Sequence, residues 1–174
     1  MGRILQRVYD ICGAISGALI LAICLLISAQ IVLNLVGRVM PGVLPSTIPS
    51  YADFSGFMLA GATFLAMAHT LRAGGHIRVN LVTGRLSPRL QLVFEALVLV
   101  VAAALLGFAT WFMVGLVLES LHYGDVSTGI VPVPLWLPQS VAAFGMLLFL
   151  VAVLHTLGDL WRLRQPVLST PDEV

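Results

Sequence analysis

No charged residue falls between Asp10 and Arg38. That gap exceeds the roughly 20 residues a helix needs to cross a bilayer. It is too long for a signal-peptide core, and Gly37-Arg38 does not resemble a small-residue cleavage site, so the stretch reads as a retained helix. Three more apolar stretches follow, at about residues 51–71, 88–121 and 135–160, the third of them uncharged between Glu95 and Glu119. With 59% hydrophobic and only 10% charged residues, the chain has too few charges to cover a water-soluble surface; a soluble domain carries about a quarter. The expected fold is an all-α integral membrane protein with four transmembrane helices, at about 11–36, 51–71, 88–121 and 135–160. They form one domain over residues 1–174, with 161–174 as a polar, fraying tail.

Charge placement orients the spans. All nine basic residues are arginine. Arg3 and Arg7 precede the first span, Arg72, Arg78, Arg85 and Arg89 lie between the second and third, and Arg162 and Arg164 follow the fourth. Arg38 alone lies on the other side. Four spans put both termini on one side, and the positive-inside rule makes that side cytoplasmic. Tyr9 and Trp161 fall at the inner interface, and Tyr51, Tyr123 and Trp136 at the outer one, as an aromatic belt requires. A nucleic-acid partner would need a basic face on a soluble module, and this chain has none.

Packing signals are local. Gly13-x-x-x-Gly17 permits close helix approach and reads equally well as a tolerated pair of glycines. Residues 37–50 hold Pro41, Pro45 and Pro49 and cannot continue a helix. The second span is rich in small residues, with Ala52, Gly56 and Ala60 on one face, and is expected to be the most protein-surrounded of the four. Ser87-Pro88 is a helix start, serine at the N-cap and proline at the first helical position. Cys12 and Cys24 lie about 18 Å apart along one helix and cannot bridge each other.

Ionisable groups inside a membrane are the candidates for chemistry. Asp53 and Glu119 lie at outer helix ends, within reach of headgroups or water. Glu95 lies about 10 Å into its helix. It either reaches back to a loop arginine such as Arg85 or Arg89, or pairs with a partner subunit. His69 and His155, at similar depth on the second and fourth spans, could ligate one haem, which would make the chain the membrane anchor of a redox enzyme. His76 and His122 sit in loops. There is no phosphate-cradling loop, no His-Glu-x-x-His, no Cys-x-x-Cys and no nucleophile–base set, so neither an enzyme nor a resident cofactor or metal is expected. A self-sufficient transporter would show paired repeats around a polar midplane site, and the chain shows neither. An accessory or scaffolding membrane subunit remains.

Gly75-His76-Ile77-Arg78-Val79-Asn80, followed by Leu86-Ser87-Pro88-Arg89, resembles the loop between helices two and three of the DctQ-type small membrane subunit of TRAP (tripartite ATP-independent periplasmic) transporters. In that family the stretch commonly reads G-H-I-R-V-D, then L-P-x-R; Asn80 here replaces the acid. Gly124-Asp125-Val126-Ser127 with Val131-Pro132-Val133-Pro134-Leu135-Trp136 is similar to the family's outer loop. The resemblance implies a non-catalytic small subunit in a bacterial inner membrane, with no cofactor. It would brace a large sodium-coupled membrane subunit that takes up an organic acid captured by a periplasmic binding protein, which docks transiently. Candidate partner or membrane-interface residues are Arg72, His76, Arg78, Asn80, Arg85, Arg89, Glu95 and Trp136; the arginine loop would be the cytoplasmic anchor against lipid phosphate or the partner.

Overall fold

A computed structural model of the chain describes residues 2–74 and 87–163. They form four helices: α1 (Gly2–Val39), α2 (Tyr51–Arg72), α3 (Pro88–Tyr123) and α4 (Trp136–Leu163). Each is long and apolar enough to cross a membrane.

The boundaries follow from breakers and caps. The first helix starts at Gly2 rather than near Ile11, because nothing in residues 2–10 breaks a helix and charge alone does not end one. It stops before Pro41 and Gly42, whose φ of 88° suits glycine. The second ends where Ala73 and Gly74 return their amides to His69 and Leu71, with Gly74 at φ 72°. Ser87 is the extended N-cap of α3 and Pro88 its first residue. Gly124 closes that helix in the left-handed region, its amide on the Ser120 carbonyl. In α4, Pro138 sits in the first turn, where its missing amide leaves no helical bond unmade.

The helices form an open row rather than a closed bundle: α1 packs on α2, α2 on α4, and α4 on α3. The core runs along this row through Tyr9, Cys12, Leu65, Ala68, Leu99, Ala152, Val153 and Leu160. The outer helices α1 and α3 present most of their length outward as exposed Ile, Leu, Val and Phe.

Two packing expectations are corrected here. The most protein-surrounded span is α4, with 39% of its most apolar window buried against 28% for α2. At Gly145 a side chain would collide with the Phe64–Leu65 backbone, and the bare glycine lets α2 and α4 approach closely. The packing face of α2 is Gly61, Ala62, Leu65, Ala68 and Leu71, not Ala52, Gly56 and Ala60. Ala52 and Gly56 are exposed and Ala60 only half-buried. Small side chains permit close approach on either face, and the larger apolar residues decide which face is buried.

Between α1 and α2 the Ser16 hydroxyl donates 2.7 Å to the Ala62 carbonyl, fully within the protein. The Gly13 face admits the His69 ring, whereas Gly17 has nothing near it. Half of the glycine pair is therefore a packing site.

Candidate functional site

Polar side chains gather at the two ends of the row. At the arginine-bearing end α1, α2 and α4 meet. The α2 helix terminates at Arg72, so this side chain leaves the last turn free to cross to α4. There its Nη1 donates 2.9 Å to Asp159 Oδ2 and 3.3 Å to Thr156 Oγ1. Both partners of the ion pair are largely buried, and Thr156 is wholly so. Thr156 in turn donates to the Ala152 carbonyl one helical turn back. On the other side of α2, His69 Nδ1 stands 3.3 Å from Asp10 Oδ1 of α1. His155 Nε2 stands 3.9 Å from Asp159 on its own helix. In low dielectric an unpaired charge is costly, so the Arg72–Asp159 pair ties α2 to α4, while the more exposed His69 stands against Asp10 of α1.

This bears on the haem pair. His69 is turned to Asp10 and Gly13 of α1, and His155 to Asp159, so the two imidazoles serve separate neighbours. Among the described residues no group of three or more His, Cys, Asp or Glu is placed to hold a metal ion.

At the opposite end the α3–α4 connection folds into a small hairpin. Val126 bridges Pro134, Ser127 N donates to the Val133 carbonyl and Leu135 N to the Asp125 carbonyl. The Ser127 hydroxyl accepts from Val133 N. The hairpin tip lies on the start of α2: Val131 N donates to Ser50 Oγ at 2.9 Å, and Gly129 presses on Asp53 and Ser50. Ser50, at φ 54°, makes no side-chain cap for α2; its hydroxyl serves the hairpin instead. Asp53 is thus half-buried under the tip rather than free in headgroups or water. The α1–α2 connection is held by buried Gln30, whose Oε1 accepts 2.7 Å from Ile48 N.

The sequence candidates distribute as follows. Arg72 is engaged within the protein. Arg89 is exposed in the first turn of α3. Glu95 is 4% exposed, on the α3 face that also carries Leu99, Ala102 and Leu106 and packs on the core. Trp136 is half-buried as the first residue of α4, its carbonyl taking a bond from Ser140. Glu119 is exposed beside an open apolar groove of about 710 Å³ lined by Trp111, Phe112, Met113, Leu116 and Met146. His76, Arg78, Asn80 and Arg85 lie outside the described residues, as does the tail beyond Leu163. Asp10 and Asp159 were missed as partners. The available signal was their position: each acid lies at the same end of its span as Arg72 and His69.

These features define an all-helical, multi-pass membrane protein held together by interhelical pairs at both ends. A family model described as "Tripartite ATP-independent periplasmic transporters, DctQ component" matches residues 23–164, from the middle of α1 to the end of α4. The chain belongs to this family, the small permease component of TRAP transporters. Neither a curated protein nor a solved structure matches it.

Proposed function

We propose that this chain is the non-catalytic brace of a TRAP transporter in a bacterial inner membrane. It packs on a large sodium-coupled permease subunit that imports an organic acid handed over by a periplasmic binding protein. The observation that carries this reading is the division of labour in the row. Its buried polar groups and the Arg72–Asp159 pair hold its own helices together, and its exterior is apolar along most of both outer helices. Among the described residues such a unit offers no polar midplane site for a substrate, and its outer surface is lipid-compatible.

In this reading the arginine-bearing end is cytoplasmic, with both termini there, and Arg72 stiffens that end. Arg89 and the loop residues His76, Arg78, Asn80 and Arg85 would meet lipid phosphate or the large subunit. Glu95 serves inside the chain. Trp136 belongs to the aromatic belt at the outer face, and the α3–α4 hairpin would lie on the side from which the binding protein approaches.

The test is sodium-driven uptake of the organic acid in proteoliposomes holding the large subunit and the loaded binding protein, with and without this chain. Uptake that needs the chain supports the reading. Equal uptake without it overturns the brace role.

A further inference from the structure

The four helices are not level with one another. Asp10 lies against His69, Ser16 bonds the Ala62 carbonyl, Leu19 approaches Gly61, and Gln30 bonds the Ile48 amide. These contacts place Ser28 level with Tyr51, so α1 continues past the start of α2 from Ala29 to Val39, about 16 Å at 1.5 Å per residue. Gly145 on the Phe64–Leu65 backbone, Val141 beside Gly61, and Val131 on Ser50 set α4 along α2. They bring Arg72 level with about Val153, leaving α4 to run about 15 Å further. The bonds between Asp125 and Leu135 and between Ser127 and Val133 set α3 along α4, and Met146 lines one groove with Ala109 and Met113. Pro88 therefore stands about 13 Å beyond the end of α4. Each helix in the order α1, α2, α4, α3 is shifted further toward the arginine end. From α1 to α3 the centres are displaced by about 25 Å, across three interaxial distances of about 8–10 Å each.

An upright row conflicts with this stagger. With the centre of α2 at the bilayer midplane, the α3 residue at that depth would be about Leu118, next to Glu119. Val93 to Val101 would then stand outside the hydrocarbon at the arginine end, and Ile31 to Leu35 of α1 outside it at the other, although most of their large side chains are exposed and apolar. The charges give the same offset independently. The uncharged stretch of α1, between Asp10 and Arg38, is centred on Cys24, and that of α3, between Glu95 and Glu119, on Gly107. Both centres reach one depth only if the row leans.

We propose that the helix row lies obliquely in the bilayer, its helices inclined by about 40° within the plane of the row, so that lipid hydrocarbon covers the projecting apolar ends of α1 and α3. At that angle the 38 residues of α1 span about 44 Å, the thickness of a bilayer with its headgroups. This rests on register and charge, and not on the brace reading.

The test is a depth profile of the full chain in phospholipid liposomes. Leu97→Cys, Leu105→Cys and Leu118→Cys, in a Cys12→Ala, Cys24→Ala background, carry a spin label one at a time. Their collision rates with oxygen and with a water-soluble nickel chelate are then compared. All three positions are exposed in the structure. The oblique row predicts the greatest depth at Leu105, with similar shallower values at Leu97 and Leu118. Greatest depth at Leu118, with Leu97 as open to nickel as a residue in water, overturns it. Infrared dichroism of the unlabelled chain needs no substitution. A mean helix tilt above about 30° supports the proposal and a smaller one contradicts it.

Discussion

At Gly145 a methyl group would stand 2.6 Å from the Phe64 carbonyl of α2. The obstacle is backbone, which cannot rotate away, so Gly145→Ala should destabilise the chain by about 1–3 kcal/mol, read as earlier unfolding in an SDS titration of the protein in detergent. The α1 glycines offer an internal control. Gly13→Ala would meet the His69 ring at 2.8 Å, while Gly17→Ala meets nothing. The first should lower the midpoint of that titration and the second leave it unchanged or slightly raised. Ser16→Ala removes one buried interhelical bond and should cost about 0.6 kcal/mol, with an upper bound near ~1.7. Arg72→Leu leaves Asp159 in a largely buried place without its cation and should cost about 3 kcal/mol. Adding Asp159→Leu should recover most of that loss, because the cost lies in the stranded charge and not in the pair itself. A double variant as unstable as the single one would refute this reading of the junction.

At the scale of elements, the hairpin between α3 and α4 works as a clasp on α2. Its grip depends on Gly129, which has no room for a side chain beside Asp53 and Ser50. Gly129→Ala should therefore open the clasp and speed hydrogen exchange at the Val131 amide, which Ser50 now holds, while Val126→Ala, at an exposed position, should not. Much at this scale was legible in the sequence. Uncharged length marked the four spans, and Ser87-Pro88 and the proline cluster at 41–49 marked two of their ends, because each of these acts through its own backbone. What was not legible depended on partners distant in the chain. Small residues on α2 occur on two faces, and only contact with α1 and α4 shows that Ala62 and Ala68 are buried while Ala52 and Gly56 are not. The ion pairs are of the same kind: Arg72 was conspicuous, but that Asp159, far along the chain, receives it follows only from the parallel packing of α2 on α4. Glu95 shows the limit differently, since depth along the helix could be counted but the side it faces could not.

For the molecule as a whole, an open row is an unusual way to use four helices. A closed bundle would bury one stripe of every helix; here α1 and α3 touch the rest along one side only and are otherwise bare. In water this would be untenable. In a bilayer it costs nothing, since lipid tails are as apolar as leucine, and it leaves two long helical flanks for lipid or a larger partner. On the proposed reading, that partner would be the large permease subunit of the transporter to whose family the chain belongs.

The most direct measurement is affinity purification of the tagged chain from native membranes in mild detergent, with the recovered subunits quantified by mass spectrometry. The account predicts one large polytopic membrane protein in equal amount to the chain. Recovery of the chain alone as a uniform oligomer, or with haem- or flavin-carrying subunits, would contradict it.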